Sequence, residues 1–382
     1  MRCSRRALCL SALAAVCGRQ SIASAAPAIA RWTVMVYMAG DNNLEGLIVK
    51  DFERELAAVG STPAVQVVAL ADRKPGRDRS RDNWQGVKLF HVERGMRATP
   101  DNAVASWGDR DMGNPKTLVD FVSWTRANYP ADRYALFFWG HSWSWHPGVT
   151  MWDSTSHDAL NPREIRDVLP QLGFFDTIGY DSCNAGSIET EALWRGHAAA
   201  VAHSQEWVDV HGFAYDQMLA ALNNDPAMSG DDLAIVAGRG AAAEERTWSA
   251  VALDGRWDAL EAAVAAWSTA LTAGLPAHRA DYHAALDATQ HFVDAPMDRD
   301  LSDLAAQINA RVDDPAIRAA GQAVIDAVAA AVLYEQHRPN YPGAHGITIF
   351  VPSHTRGRAF AAYRNLDFAH ATGWDEFLRR WR

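Results

Sequence analysis

The chain has 382 residues, with 36 Lys and Arg against 46 Asp and Glu and a formal net charge of −10. This length suits one large domain or two ordinary ones, and the acidic balance excludes the basic footprint of a nucleic-acid-binding protein. Three of the four cysteines, Cys3, Cys9 and Cys17, lie near the N-terminus, which excludes a disulfide-rich scaffold.

The first 25 residues have the pattern of an export signal. Arg2, Arg5 and Arg6 precede the apolar stretch 7–18, which is too short to span a bilayer, and a small-x-small cleavage site ends at Ala25. The arginine pair is similar to a twin-arginine signal, and an ordinary secretory signal or a lipoprotein signal are the alternatives. We therefore predict an exported protein, periplasmic or secreted, without a transmembrane helix after the signal.

The next part of the chain alternates strand-like and helix-like stretches. Apolar runs rich in β-branched and aromatic residues predict buried parallel strands, and amphipathic stretches between them predict helices. Asn42 and Glu45 have the spacing of a capping box at the first helix. This alternation indicates an α/β fold with a mostly parallel sheet flanked by helices. The predicted strands are 32–39, 65–71, 87–92, 134–139, 174–183 and 198–204, and the predicted helices are 44–59, 117–128 and 162–172.

The C-terminal part is predicted to be richer in helices. Ala-rich stretches predict helices at 258–273 and at 301–332, the second one interrupted by Pro315. A late strand is predicted at 346–352, and an aromatic-rich helix or turn at 367–381. We place a domain boundary in the Ala/Gly/Glu stretch 238–246, which separates residues 26–245 from a C-terminal region at 246–382.

A histidine and a cysteine each stand at the end of a predicted strand. His141 follows the strand 134–139, and Cys183 ends the strand 174–183. Because the carboxyl ends of parallel strands gather at one edge of a sheet, we expect the two side chains to meet there. Backbone N–H groups at the start of a following helix favour the thiolate form of Cys183. A buried, inert thiol and a purely structural histidine are the alternatives.

Five stretches of the chain are distinctive motifs: 33–45, Trp139-Gly140-His141, Asp181-Ser182-Cys183 followed by Gly186, 345–352 and 372–378. Together, and in this order, they resemble the clostripain-like cysteine peptidases. The resemblance implies a caspase-like fold in which residues 26–245 form the catalytic domain. It also implies a dyad of Cys183 and His141, and cleavage of peptides or proteins after Arg or Lys. The oxyanion would be bound by the backbone N–H groups of Cys183 and Ser142.

Four side chains are candidates for the substrate pocket. Asp181 precedes Cys183 by two residues, and on an extended chain such residues share one face. A carboxylate at this place would pair with the guanidinium of a substrate Arg. The alternative is that Asp181 only accepts hydrogen bonds from neighbouring loops. Glu206, Asp209 and His211 are the further candidates.

The chain departs from the family pattern in three places. The segment 142–145, Ser-Trp-Ser-Trp, stands where the family has glycines, and we expect it to narrow the approach to the dyad. His211 stands where the family commonly has an acidic residue. Arg163 and Arg166 fall in a predicted helix, so we expect no self-cleavage between the dyad residues. Ser142, Trp143 and Trp145 in place of glycines favour one rival interpretation, a catalytically silent binding protein on the same scaffold.

We predict no catalytic metal and no required cofactor. His141, His146, Asp153, His157 and Asp158 lie close together in the sequence, but their spacing fits no zinc motif. A supporting Ca²⁺ ion is implied only by the resemblance, since some relatives depend on calcium. The sequence alone identifies no complete cage of oxygen ligands.

Overall fold

The computed structural model describes residues 29–76, 78–210, 212–241, 246–293 and 295–382. The predicted export signal at 1–25 therefore lies outside the described residues. No helix in this part of the chain combines the length and the apolarity needed to cross a bilayer.

The described residues form a large sheet and a small one. The strands are β1 (Ala30–Met38), β2 (Val65–Arg73), β3 (Gly86–His91), β4 (Ala105–Gly108), β5 (Ala131–Trp139), β6 (Phe175–Asp181), β7 (Ala198–His203), β8 (Thr247–Ala252), β9 (Asp298–Asp300), β10 (Val332–His337) and β11 (Thr348–Phe350). The large sheet has the order β10-β8-β7-β6-β5-β1-β2-β3-β4, and β11 pairs with β9 in the small one.

The centre of the large sheet is parallel. Strands β7, β6, β5, β1 and β2 run in one direction, and antiparallel strands extend both edges. Nearly every residue of the central strands is buried, because both faces of the sheet are covered. The predicted fold class, a mostly parallel sheet flanked by helices, is confirmed.

Helices cover the two faces of the large sheet. On one face Phe52, Met218 and Leu233 are buried, and on the other face Phe121 and Ile165 are buried together with the C-terminal helices. The helices are α1 (Glu45–Asp51), α2 (Ala57–Val59), α3 (Pro115–Asn128), α4 (Pro162–Leu172), α5 (Ile188–Trp194), α6 (Tyr215–Asn224), α7 (Gly230–Ala241), α8 (Gly255–Ala288), α9 (Leu301–Arg311), α10 (Pro315–Ala331), α11 (Arg358–Tyr363), α12 (Asp367–Thr372) and α13 (Trp374–Trp381).

Two details near the first helix differ from the prediction. A π-helical turn, Phe52–Leu56, lies between α1 and α2 where one regular helix was expected. Asn42 and Glu45 do not form the predicted capping box. Asn42 Oδ1 accepts a hydrogen bond from Leu44 N at 2.8 Å, while Glu45 pairs with the buried guanidinium of Arg73 at 2.6 Å. The guanidinium of Arg73 attracts the Glu45 carboxylate, which in a capping box would have accepted a hydrogen bond from Asn42 N.

The C-terminal half contributes strands as well as helices. Strands β8 and β10 were not predicted, and they join the large sheet next to β7. The strand predicted at 346–352 is shorter, and it pairs with β9 outside the large sheet. Strands on both sides of the predicted boundary at 245/246 therefore belong to one sheet.

Candidate active site

The strand register brings His141 and Cys183 to one edge of the large sheet. Strands β5 and β6 are parallel neighbours, and Trp139 and Asp181 are register partners at their last residues. Gly140 N donates a hydrogen bond to Asp181 O at 3.2 Å, which keeps the two chains together beyond the strands. His141 and Cys183 each follow two residues after this pair. The register therefore places both residues at the same edge of the sheet.

Both side chains line a single small cleft. Cys183 is partly exposed there, and its Sγ lies 3.8 Å from Val208 O. Apolar side chains and carboxylates surround the sulfur and the imidazole, so the cleft can hold a side chain with an apolar stem and a charged end. Its lining residues are Leu44, Leu47, Asp51, Trp139, Gly140, His141, Asp181, Ser182, Cys183, Val208, Asp209, Val210 and Gly212.

His141 is held at its side chain and at its backbone. Its Nε2 lies 2.8 Å from Asn43 Oδ1, and its carbonyl oxygen accepts a hydrogen bond from Met151 N at 2.8 Å. Burial lowers the pKa of His141 below its usual 6.5. The imidazole is therefore neutral at neutral pH and is able to accept a proton.

Ser142 connects the two strand ends. Its hydroxyl lies 2.7 Å from Ser182 Oγ and 2.5 Å from Cys183 O, and its side chain is buried. Its side chain therefore braces the turn that carries the cysteine. Its backbone N–H is the group that sequence analysis named as an oxyanion donor.

Two tryptophans in the segment 142–145 turn away from the cleft. The Trp145 ring is buried against Phe350 and Tyr363, with centroid separations of 4.8 and 4.9 Å. Trp143 stacks on His146 at 4.7 Å. Neither ring lines the cleft that holds Cys183, so this segment does not narrow the cleft as expected. Phe350 on β11 and Tyr363 on α11 offer the Trp145 ring an apolar surface away from the cleft.

Asp181 lies buried at the base of the cleft. Its Oδ1 accepts a hydrogen bond from Phe213 N at 3.2 Å, and the side chain of Tyr215 lies close to the same carboxyl group. Burial, followed by the nearby carboxylates of Glu55 and Asp51, raises the pKa of Asp181 well above its ordinary value. A cation entering the cleft would favour the ionised form of this group.

The other three pocket candidates have different positions. Asp209 lines the cleft. Glu206 is fully buried and does not line it; its two carboxylate oxygens accept hydrogen bonds from Trp207 N and Val293 N, both at 2.8 Å. This side chain joins two loops instead of facing the cleft. His211 lies outside the described residues.

A second group of carboxylates lies at the ends of β1 and β2. Asp41, Asp72 and Asp153 are all buried, and each has an oxygen within 4.8 Å of the others. Burial, together with the charges of Asp153 and Asp41, raises the pKa of Asp72 to about 8. These residues, and no histidine or cysteine, are the set in the described chain that could hold a metal ion.

Sequence analysis missed Asn43, Asp51 and the carboxylate group. Asn43 lies between the end of β1 and the start of α1, at the sheet edge where ligand-binding groups gather, and Asp51 is the last residue of α1. The position of Asn43 after a predicted strand could have identified it from the sequence. The proximity of Asp153 to Asp41 and Asp72 could not be predicted from the sequence, because it depends on the conformation of the long loop that carries Asp153.

Comparison with known proteins identifies relatives of this chain. The profile of the clostripain family, peptidase family C11, matches residues 36–381. Clostripain of Hathewaya histolytica is 25% identical over 229 residues, which cover 52% of this chain and 44% of that protein. The match therefore spans less than half the length of that curated relative.

Two solved structures have a similar fold. One is a secreted C11 cysteine protease from Bacteroides thetaiotaomicron in complex with an irreversible peptide inhibitor. It has 17% identity and a TM-score of 0.68, and the alignment covers 90% of this chain and 99% of that one. The other is an inactive zymogen C11 protease from Parabacteroides distasonis, with 19% identity, a TM-score of 0.67, and coverage of 91% and 99%. At these identities the likeness concerns the fold.

Proposed function

This chain belongs to the clostripain family of cysteine peptidases, and we propose that it is an exported endopeptidase in which Cys183 and His141 form the catalytic dyad. One observation carries the proposal: both side chains line one cleft at the carboxyl ends of two adjacent parallel strands. A nucleophile and a base at such an edge have the arrangement that acyl transfer requires.

The proposed reaction is hydrolysis through a thioester. Cys183 gives its proton to His141, and Sγ attacks the carbonyl carbon of the scissile bond. Because Nε2 of His141 lies against Asn43, Nδ1 is the nitrogen left for this proton. His141 then protonates the leaving amine as the C–N bond breaks. Water, deprotonated by His141, hydrolyses the thioester and restores the thiol.

The oxyanion of each tetrahedral intermediate needs fixed hydrogen-bond donors. We assign this role to the backbone N–H groups of Cys183 and Ser142. The contacts of the Ser142 hydroxyl with Ser182 and with Cys183 O support the assignment, because they fix the two turns relative to each other. The loss of one such donor typically raises the barrier by about 3 kcal/mol.

We propose that the cleft accepts the side chain of a substrate Arg or Lys. Leu44 and Leu47 can cover the apolar stem, while Asp181 lies at the base and Asp51 and Asp209 also line the cleft. A guanidinium that approaches Asp181 would counteract the burial that raises the pKa of this carboxyl group. The bidentate geometry of Arg favours it over Lys.

Export is the remaining part of the proposal. The arginines before an apolar stretch and the cleavage site at Ala25 support it. These residues precede the described part of the chain, so the support comes from the sequence pattern.

A mixed peptide library tests the proposed activity and its specificity. The wild-type protein should cut after Arg or Lys, and Cys183→Ala should abolish all cuts. Asp181→Asn should lower kcat/KM for basic peptides by about 100-fold, since a charged pair is lost inside the cleft. Asp101→Asn, at an exposed surface position, is the matched control.

The outcomes separate the parts of the proposal. Cuts that persist in Cys183→Ala would rule out the mechanism. Cuts without a basic preference, or an Asp181→Asn variant that keeps the preference, would rule out the assigned pocket. A wild-type protein that binds peptides but leaves them intact would support the silent binding protein instead.

A further inference from the structure

We propose that a pocket between α4, α5 and α12 binds a small amphipathic carboxylate, with the alkyl chain in its apolar interior and the carboxylate against an exposed arginine. This pocket is separate from the cleft that holds Cys183, because the two share no lining residue. The inference does not depend on the proposed peptidase activity.

Small side chains on two helices leave the space for a ligand. Ala192 on α5 and Ala362 on α11 both line the pocket, together with Leu169 on α4, Leu193 on α5 and Phe368 on α12. The enclosed volume is about 430 Å³. Small-molecule sites typically have volumes of about 300 to about 1,000 Å³, so the pocket is large enough for a ligand with a substantial apolar body.

The interior of the pocket is mostly apolar. Trp145, Leu169 and Phe368 line it, and their relative exposures are 1%, 4% and 1%. Arg163 and Arg195, which also line the pocket, are exposed. A ligand with an alkyl chain inside and a charged group at the solvent therefore matches the distribution of polarity.

The exposed cations select the charge of the ligand. Of the three arginines in the lining, Arg166 pairs with Asp367 at 3.2 Å, and Arg195 pairs with two carboxylates that do not line the pocket. Arg163 forms no ion pair with any residue in the described ranges, so its guanidinium is available to a ligand. A guanidinium binds a carboxylate through two parallel hydrogen bonds, which favours an anionic head group.

The acidic residues of the lining oppose such a ligand only weakly. Asp367 is already paired with Arg166. Glu189 is buried, and its Oε1 accepts hydrogen bonds from Phe350 N at 3.0 Å and from the Tyr363 hydroxyl at 2.9 Å. Burial raises the pKa of Glu189 to about 7, so this carboxyl group is only partly ionised at neutral pH.

The walls fit an alkyl chain better than a peptide. Each buried N–H and C=O of a peptide backbone needs a hydrogen-bond partner, and apolar side chains supply none. The two asparagines of the lining are already engaged: Asn161 Oδ1 accepts from Glu164 N at 3.1 Å, and Asn365 Nδ2 donates to Ala361 O at 3.0 Å. An alkyl chain requires no such partners.

The pocket touches the segments that follow both residues of the proposed dyad. Trp145 comes four residues after His141, and Glu189 comes six residues after Cys183. A bound ligand would contact both segments from the side opposite to the solvent. We therefore expect occupancy to reduce the local opening of both segments.

The test uses the full chain with Cys183→Ala, so that proteolysis does not interfere. Calorimetry and thermal unfolding follow the addition of sodium decanoate. Decanoate should bind in a 1:1 ratio, raise Tm by a few degrees, and slow amide hydrogen exchange in the segments 143–147 and 188–197. Acetate lacks the alkyl chain and decyltrimethylammonium has the opposite charge, so both should bind at least about 10-fold more weakly.

Two variants separate the head group from the chain. Arg163→Glu should weaken decanoate binding at least about 10-fold, because the guanidinium is replaced by a like charge. Arg94→Glu makes the same change of charge at an exposed position that does not line the pocket, and it is the matched control. Ala362→Phe should weaken binding by a similar factor, because the added ring occupies the space of the alkyl chain.

Several results would overturn the proposal. These are no binding heat and no change in Tm with decanoate, unchanged affinity in Arg163→Glu, or decyltrimethylammonium binding as tightly as decanoate. Should circular dichroism show that Ala362→Phe fails to fold, the exposed Arg163→Glu variant decides alone. A protein that binds decanoate as predicted but cuts no peptide would contradict the peptidase mechanism and leave the pocket assignment standing.

Discussion

His141 is the residue whose surroundings determine the proposed chemistry. Burial lowers its pKa, and Asn43 Oδ1 lies 2.8 Å from Nε2. An acceptor at Nε2 selects the tautomer that carries its hydrogen there, and it also orients the ring. Asn43 therefore acts through His141, as a positioning residue.

We expect Asn43→Ala to lower kcat by about 10-fold with little change in KM, because the ring loses its orientation after the substrate is bound. Asn43→Asp should behave differently. A carboxylate beside the imidazole favours its protonated form and raises its pKa, so the acid limb of kcat/KM should move to higher pH. The measurement is kcat/KM for a basic peptide from about pH 4 to about pH 9.

The direction in which the acid limb moves follows from the pKa of His141. In the wild-type protein the pKa of His141 is below 6.5, so the neutral base persists into mildly acidic solution and is lost as the pH falls through that pKa. Asn128→Ala, at the exposed end of α3, is the control. A purely structural role for Asn43 would leave the acid limb of Asn43→Asp in place, and that result would contradict the assignment.

Strand β6 needs a residue without a side chain in its interior. Gly179 is the register partner of Phe137 on β5, and a Cβ atom at Gly179 would lie 2.1 Å from the Phe137 ring. That ring packs edge-on against Phe213 and Tyr215. Tyr215 in turn contacts Asp181, so the close approach of two strands supports the base of the cleft.

Gly179→Ala should therefore reduce the free energy of unfolding by about 2 kcal/mol, because the core is overpacked. Gly255→Ala, at the start of α8, is the matched control, since an added Cβ there meets no atom within 4 Å. Urea unfolding of both variants in the Cys183→Ala background gives the comparison. Equal stability of the two variants would show that Phe137 moves aside at no cost.

The predicted elements are most accurate where the local pattern matches the tertiary environment. Helix α4 begins and ends where it was predicted, because Asn161 forms a capping box and Gly173 follows its last turn. Helix α8 was predicted to end before Pro276, yet it continues to Ala288. Leu275 and Tyr282 on either side of the proline are buried, so their packing outweighs the local loss of a hydrogen bond.

At the level of the whole molecule, the parallel centre of the sheet was predictable and its far edge was not. Strands β1 and β5 are apolar runs that indicate burial on both faces. Strand β10 is only partly buried, and it exists through its pairing with β8, which lies about 80 residues earlier. No local pattern encodes such a distant partner.

In the candidate active site, too, residues that follow strands were predictable, and contacts with distant loops were not. His141 and Cys183 could be paired from the sequence, because each follows a strand and parallel strands end together. Glu206 could not be excluded in advance, since its hydrogen bond to Val293 depends on a loop from the other half of the chain. Trp145 was misjudged for the same reason, because its packing surface comes from Phe350 and Tyr363.

The most direct test of the dyad is the rate at which iodoacetamide alkylates Cys183 as a function of pH. Wild-type protein and His141→Ala are compared, with the modified residue identified by mass spectrometry. Proton transfer between the two side chains predicts rapid labelling at neutral pH in the wild type and labelling at least about 10-fold slower in His141→Ala. Slow labelling with the same pH dependence in both proteins would contradict the account, since the thiol would then react without the help of the imidazole.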